Sequence, residues 1–227
     1  MGTRPNSNGV QYNGDWEIWL QELDLENMRL IGESRTIWKG AMQNAIWPEG
    51  PHLYKMGEYY YLFHAEGGTA EEHCICVART KSLEKPFEGC PRNPVFTHRH
   101  LGRNYPVTCA GHGDLVDDGK GNWYIVMLAC RRCKGCSSMG RETFLAKVQW
   151  EDGWPVINPG IGKLEEWLEL PQEPVRFPRE AGENLFFQFL RKPTAERTGE
   201  YLRKRFFICI HYMQGQVFCA YRQEDIT

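Results

Sequence analysis

Short strand-like segments separated by turn residues run through most of the sequence and limit the folds it can adopt. Segments rich in aromatic and β-branched residues and bounded by Gly, Asp or Asn are typical of β-strands. They occupy residues 17–23, 59–64, 74–79, 123–129, 143–150, 206–210 and 217–221. Because no long segment repeats its apolar residues about every 3.6 positions, we expect an all-β chain.

Two of these segments open in the same way. Gly57-Glu-Tyr-Tyr-Tyr-Leu and Gly121-Asn-Trp-Tyr-Ile-Val each lead from a turn into an aromatic strand, and the strands start 123 − 59 = 64 residues apart. Recurrence of a small antiparallel unit is typical of the blades of a β-propeller. A β-sandwich has similar strands, so the repeat alone leaves both folds open.

The composition changes after about Pro159. Pro171, Pro174, Pro178 and many Glu residues mark an irregular connecting stretch, beyond which strand-like residues resume. We therefore expect one domain over residues 1–160 and a linker with part of a second β domain over residues 161–227.

Charge and hydropathy exclude several classes of function. The net charge is 27 − 29 = −2, and no basic run is present, so we expect no nucleic-acid partner. The N-terminus has no apolar stretch of the kind found in signal peptides. The longest apolar run, residues 123–130, is too short to span a bilayer. These features predict a cytoplasmic protein without membrane contact.

Glu49 is the best single catalytic candidate. It lies between Pro48 and Gly50, which impose a non-helical backbone. With Trp47 and Tyr54 nearby, its carboxyl group would be partly removed from water, which favours the protonated form. A proton-donating carboxyl is what glycoside hydrolysis requires. The alternative from the residues alone is a surface Glu in a turn.

The segment Gly111-His112-Gly113-Asp114 is a second candidate. Flanking glycines allow a ligand or another backbone segment to approach His112, which can bind a metal or orient a substrate hydroxyl. The alternative is a structural His hydrogen-bonded in a turn. Asp114 is expected to serve that turn.

Arg141 and Thr69 are candidates for substrate contacts. Arg141 opens a strand, where its guanidinium can bind sugar hydroxyls or a catalytic carboxylate, or alternatively form a surface salt bridge with Glu142. Thr69 follows Gly67 and Gly68, a pair that permits a tight exposed turn.

Nine cysteines are present, an odd number. Cys74, Cys76, Cys209 and Cys219 lie in strand-like runs, where a free Cys behaves as a small hydrophobic residue. Cys130, Cys133 and Cys136 have overlapping CxxC spacings that can supply three thiolates to zinc. The alternative is a loop with incidental thiols, which basic neighbours such as Lys134 would make sensitive to oxidation.

Taken in order, these segments resemble one known family. The resemblance rests on the following series: Glu49-Gly-Pro-His-Leu-Tyr-Lys55, Tyr59-Tyr-Tyr-Leu62, Ala65-Glu-Gly-Gly-Thr69, Val77-Ala-Arg79, Asn93-Pro94, Thr97-His-Arg-His-Leu-Gly-Arg103, Gly111-His112, Gly140-Arg-Glu-Thr143 and Trp150-Glu-Asp-Gly-Trp-Pro155. In this order the series is similar to glycoside hydrolase family 43, in its β-xylosidase and α-L-arabinofuranosidase branch.

The resemblance implies a five-bladed β-propeller followed by a β-sandwich, and inverting hydrolysis of xylo- and arabino-oligosaccharides. It implies that Glu49 is the general acid and that Thr69, Arg141 and His52 contact substrate. It also places His112 beside a divalent cation such as Ca²⁺, with no organic cofactor. Five blades of 64 residues would need about 320 residues, so about three blades are expected here.

The sequence departs from the family in one respect. The family places its general base in an Asp-Pro context and another Asp in the second blade, and neither context is found here; the surroundings of Asp15 do not match. We therefore expect the chain to begin after both aspartates, to hydrolyse little by itself and to associate through open sheet edges. Three hypotheses follow: a family 43 glycosidase, a sugar-binding remnant without turnover, and a zinc-stabilised β protein.

Overall fold

The described part of the chain consists mainly of β-strands and their connections. A computed structural model describes residues 1–102, 104–137, 140–171, 210–213 and 216–219. Within these residues the one helical element is a 3₁₀ turn, Arg99–Leu101. The strands are β1 (Gly2–Pro5), β2 (Trp16–Asp24), β3 (Arg29–Trp38), β4 (Glu49–Met56), β5 (Tyr59–Glu66), β6 (Cys74–Thr80), β7 (Glu88–Gly89), β8 (Phe96–Thr97), β9 (Val107–Asp117), β10 (Trp123–Arg131), β11 (Arg141–Glu151), β12 (Trp154–Ile157), β13 (Ile210–Met213) and β14 (Gln216–Cys219). The all-β prediction is confirmed.

Three antiparallel sheets follow one another along the chain. The first sheet has the order β1-β2-β3, the central sheet β4-β5-β6-β7 with β8 also on β6, and the third sheet β12-β11-β10-β9. Apart from β8, the strands that pair within these three sheets are neighbours in sequence, as in the blades of a propeller. The predicted number of about three blades is confirmed.

Alternating side chains of the central sheet supply two separate cores. Toward the third sheet, one core contains Tyr61, Phe63, Ile75, Val77, Ile125, Met127 and Ala146. On the opposite face, Leu62 and Ala78 pack with Ile18 of the first sheet. Successive side chains of a strand point to opposite faces, so β5 and β6 bury both of their faces. This explains why these two strands are apolar almost throughout.

The repeat seen in the sequence marks equivalent strands. Strand β5 begins at Tyr59 and β10 at Trp123, and each is the second strand of its sheet when the strands are counted along the chain. The predicted strand over residues 17–23 corresponds to β2, and that over residues 143–150 to β11.

The chain divides into two compact units. The larger contains Met1–Val116 and Asn122–Leu168, and the other contains Asp117–Gly121 and Glu169–Thr227. In the second unit, β13 and β14 form an antiparallel pair. The predicted strand over residues 206–210 lies outside the described residues except for Ile210, and the sandwich predicted within residues 161–227 stays a prediction. Among the described residues, no helix is long and apolar enough to cross a membrane.

His98 connects three segments of the larger unit. Its Nδ1 lies 2.7 Å from the Val107 carbonyl oxygen, and the backbone N–H of Leu164 donates to its Nε2 at 2.9 Å. Because Nε2 accepts a hydrogen bond, the ring is neutral, with its proton on Nδ1. Burial lowers the pKa of His98, although its bond to Val107 opposes this, and His100 and Lys163 lower it further.

We predict that the free energy of unfolding falls as the pH drops below 6.5, the ordinary pKa of His. The folded state holds His98 neutral, so the stability present above that pH is lost as the pH falls through the lower folded pKa. His98→Gln should reduce this pH slope and cost about 1–2 kcal/mol at pH 7.5 through a weakened hydrogen bond. Urea unfolding at pH 7.5, 6.5 and 5.5, chosen to bracket that value, measures both effects. The exposed His100→Gln removes only a lesser cause of the lowered pKa of His98 and should keep most of the slope. An equal slope in both variants would contradict the prediction.

Candidate active site

Glu49 opens strand β4 at an irregular point of the backbone. Trp47 and Gly50 both have positive φ, at 48° and 54°. Glu49 pairs with Ala65, and the register then shifts before His52 pairs with Phe63. A bulge of this kind redirects side chains at the end of a strand. The predicted fixed, non-helical backbone is confirmed, and the Glu49 side chain is half-buried.

His112 lies within strand β9 rather than in a turn. The turn predicted for residues 111–114 is wrong, because these residues continue the strand from Val107 to Asp117. His112 has φ 54° and is half-buried. A Cβ at Gly50 would overlap the His112 ring, so a glycine is needed where β4 approaches β9.

His73 was not identified from the sequence, although it lies at the centre of this cluster. Its ring is fully buried, and a Cβ at Gly111 would lie 2.6 Å from it. Its Nδ1 is 2.9 Å from the Cys109 carbonyl oxygen, so the proton belongs on Nδ1. Its Nε2 is buried and has no hydrogen-bond partner among the described residues. A single His before a strand carries no sequence signal for such a position.

The side chains of Glu49, His73 and His112 converge. One potential ligand atom from each lies within 4.8 Å of the other two. Burial is the main cause that lowers the pKa of both imidazoles, and the charge of Arg141 lowers both further. At neutral pH the two rings are therefore uncharged and offer lone pairs and N–H groups beside the Glu49 carboxyl.

A second set of polar groups borders this cluster. The Tyr54 hydroxyl donates to Asp114 and accepts the backbone N–H of Leu115 at 2.9 Å. The Nδ1 atom of His52 lies 3.4 Å from the same Asp114 oxygen, and the His52 ring is 6.5 Å from that of His112. Burial and the bond to Asp114 raise the pKa of Tyr54. Asp114 therefore orients Tyr54 and His52 instead of serving the predicted turn.

The structure also places Arg141 and Thr69. Arg141 is the exposed first residue of β11, opposite Cys130, and its charge acts on His73 and His112. Its predicted alternative partner, Glu142, is bound by Arg131 at 2.6 Å. Thr69 is exposed in the loop after β5.

The loop that carries Thr69 contacts the segment before Glu49. The Gly67 N–H donates to the Ile46 carbonyl at 2.9 Å. A Cβ at Gly68 would lie 2.6 Å from the Trp47 ring. The loop and this segment are therefore held against each other.

Two other carboxylates are held by structural hydrogen bonds. Buried Asp15 accepts from the backbone N–H of Gln11 at 2.9 Å and from the side chain of Asn6. Buried Glu66 accepts from the Ala41 N–H at 2.5 Å and lies 2.8 Å from His64. With Cys76, His64 and Glu66 form the other cluster of three potential ligands found in the described residues.

The hypothesis of a zinc site at Cys130–Cys136 finds no support in the described geometry. Cys130 is buried at the end of β10, whereas Cys133 and Cys136 are exposed. Neither of the two ligand clusters found among the described residues includes these thiols. Cys74 and Cys76 are free and buried in β6, as expected.

Comparison with known proteins identifies relatives for most of the chain. Residues 4–155 match the family model of glycosyl hydrolases family 43. A xylosidase/arabinosidase of Butyrivibrio fibrisolvens is 67% identical over 180 residues, covering 79% of this chain and 35% of that protein. A beta-xylosidase of Bacillus subtilis is 34% identical, covering 80% of this chain and 37% of that protein. The chain thus spans about a third of the length of these relatives.

Solved structures resemble the chain over a similar range. The Bacteroides ovatus xyloglucan PUL GH43B protein has a TM-score of 0.63 at 37% identity, covering 72% of this chain and 32% of its own. A xylan beta-1,4-xylosidase from Bacillus halodurans has a TM-score of 0.59 at 39% identity, covering 70% of this chain and 32% of its own.

We predict that Gly111→Ala destabilises the chain by about 1–3 kcal/mol, because the new methyl group overlaps the buried His73 ring. In a His73→Ala background the same substitution should cost much less, since the space is then open. Urea unfolding of the four proteins of this double-mutant cycle measures the coupling. An equal cost in both backgrounds would show that the contact is not what requires glycine.

Proposed function

The chain belongs to glycosyl hydrolases family 43, and on that premise we propose that it carries the general-acid part of an inverting glycosidase site. The proposed substrates are oligosaccharides containing xylose or arabinose, the sugars for which its relatives are named. Glu49 donates a proton to the glycosidic oxygen of the leaving group.

One observation carries this proposal: the Glu49 carboxyl lies with the uncharged rings of His73 and His112 in one half-buried cluster. A general acid must be fixed in position and able to hold a proton until the transition state. The bulge at the start of β4 fixes the backbone of Glu49, and the glycine contacts with both rings fix its surroundings. This supports proton donation from a rigid site.

The neighbouring groups suit recognition of sugar hydroxyls. Arg141 presents several N–H donors at an exposed strand end, and Thr69 presents a hydroxyl in an exposed loop. His52 is half-exposed and is oriented by Asp114. We assign these three residues to substrate contacts and His112 to the surroundings of the Glu49 carboxyl.

Inverting hydrolysis also needs a carboxylate base that activates water, about 6.5–9.5 Å from the acid. The sequence contains no Asp-Pro dipeptide, the context in which the family carries its base. Asp15 is occupied by Gln11 and Asn6. We therefore assign no base in this chain and propose turnover for an enzyme in which both carboxylates are present. The cytoplasmic location and the self-association stay predictions.

The calcium ion expected near His112 fits the available donors poorly. Calcium prefers six to eight oxygen ligands, whereas the cluster offers two imidazoles and one carboxylate. We derive no step of the reaction from this ion, and its presence stays a prediction.

A second candidate function is sugar binding without turnover. The lack of an assigned catalytic base favours this binding function. Contact with a sugar through Arg141, Thr69 and His52 does not require such a base. The two functions differ in whether Glu49 affects rate or only affinity.

We predict that Glu49→Gln abolishes acid catalysis while sparing substrates that need none. Residues 4–155 should be grafted into the Butyrivibrio fibrisolvens relative in place of the matching segment, so that the rest of that enzyme is present. On xylobiose, kcat should fall by about 10²–10⁴-fold. On a dinitrophenyl xyloside, whose leaving group departs without protonation, kcat should fall far less.

Glu84→Gln is the matched control for this experiment, since Glu84 is an exposed acid paired with Arg35. It should leave both rates unchanged. Equal losses on the two substrates, or no loss with Glu49→Gln, would refute the acid role. For the chain alone, release of nitrophenol equal to that of its Glu49→Gln variant would support binding without turnover.

We predict that Arg141→Ala weakens the binding of xylobiose to the chain by about five- to twenty-fold, as expected from the loss of a charge-assisted hydrogen bond. Calorimetric titration measures the affinity. Arg35→Ala, which removes a half-exposed arginine on the first sheet, is the control and should bind as the unmodified chain does. Identical affinities in all three proteins would show that Arg141 does not contact the sugar.

A further inference from the structure

The connection between β10 and β11 contains a cysteine pair that the proposed glycosidase function does not use. The N–H of Cys133 donates to the Cys136 carbonyl at 2.8 Å, and the N–H of Cys136 donates to the Cys133 carbonyl at 3.1 Å. Lys134 and Gly135 between them have φ of 50° and 80°. Two positive φ values in a two-residue loop are typical of a type I′ hairpin turn. The two cysteines therefore face each other across a tight hairpin.

This position suits a disulfide. Residues that exchange both backbone hydrogen bonds have Cα atoms about 5.5 Å apart, within the range of about 4.4–6.8 Å found for disulfides. Both thiols are free and exposed, so a soluble oxidant can reach them. Cys74 and Cys76 differ in this respect, because they are buried on one strand with their sulfurs 3.9 Å apart.

We propose that Cys133 and Cys136 form a reversible thiol–disulfide exchange site whose co-substrate is a small-molecule disulfide such as oxidised glutathione. One thiolate attacks a glutathione sulfur, forms a mixed disulfide and releases one glutathione thiolate. The second thiolate attacks the protein sulfur of that mixed disulfide, which closes the Cys133–Cys136 bond and releases the other glutathione. Two electrons and both thiol protons pass to the two glutathione molecules.

The hairpin geometry makes this bond reversible rather than permanent. Directly opposed residues hold their Cβ atoms about 4.5–5.5 Å apart, whereas a relaxed disulfide needs about 3.8 Å. Closing the bond therefore pulls the two strand ends together against their backbone hydrogen bonds. Strained and exposed disulfides are the ones that cellular thiols reduce readily.

The surroundings fit an anionic thiol reagent. Lys134 lies in the turn itself and supplies a positive charge there, whereas Arg131 and Arg132 before it are paired with Glu142 and Glu71. The Arg132 N–H donates to the Pro106 carbonyl at 2.7 Å, and its guanidinium binds Glu71 at 2.8 Å, which fixes this side of the hairpin. Positive charge beside an exposed thiol attracts the carboxylates of glutathione.

The test is a redox titration of the intact chain in buffers of reduced and oxidised glutathione, followed by acid quenching, alkylation and tryptic mass spectrometry. Trypsin cleaves after Arg132 and Lys134, so the disulfide links peptide 133–134 to peptide 135–141. We expect this linked pair to appear as the oxidised fraction rises and to disappear with dithiothreitol. Cys133→Ser should abolish it.

A second variant tests whether the turn is responsible. Gly135→Val should lower the equilibrium constant for disulfide formation at least about five-fold, since a side chain at positive φ is strained. Gly57→Val is the matched control, because Gly57 has φ 55° in a turn without cysteines and should leave the titration unchanged. The proposal is overturned if both thiols stay alkylatable in oxidised glutathione, if they pair with Cys109 or Cys130 instead, or if Gly135→Val has no effect.

Discussion

The contacts of two glycines with two histidine rings hold the candidate site together. Gly50 on β4 lies against the His112 ring, and Gly111 on β9 lies against His73, at positions where a Cβ would overlap each ring. These contacts bring the edge of the central sheet against the third sheet, and the Glu49 carboxyl reaches both imidazoles as a result. A methyl group at either glycine would separate the sheets or displace a ring. The arrangement of the site therefore depends on how the glycine backbone packs against the two histidine rings.

That packing depends in turn on the two-sided burial of the central sheet. Strands β5 and β6 send Phe63 and Val77 toward the third sheet and Leu62 and Ala78 toward the first. A strand buried on both faces has little freedom of register, because a slip of one residue would exchange the two cores. The positions of Ala65 opposite Glu49 and of the loop that carries Thr69 are thereby fixed. Function on this fold thus rests on a core that contains none of the proposed catalytic groups.

The sequence predicted some of the strands, but not β3, β4 or β9, and it did not predict the neighbours of Glu49. Aromatic and apolar runs predict β5, β6 and β10 because burial requires such residues there. His73 could not be found, since a single buried His has no pattern. The Tyr54–Asp114 bond joins residues 60 positions apart, and only the register of two sheets brings them together. The turn expected at Gly111–Asp114 is wrong, because these residues continue strand β9 and Gly111 is required by its contact with the His73 ring.

The carboxyl groups of Glu17 and Glu49 have different surroundings, which favour a structural role for the first and the proposed catalytic role for the second. Burial raises the pKa of Glu17, but hydrogen bonds from Arg4 and Thr36, both at 2.7 Å, bring it down to about 2. Glu17 is thus held as an anion at any physiological pH and can only join β1 to β3. Glu49 is half-buried and lies beside two imidazoles that burial keeps neutral. The partners of Glu17 thus give it a structural role, whereas the half-buried position of Glu49 beside two imidazoles supports the catalytic role proposed for it.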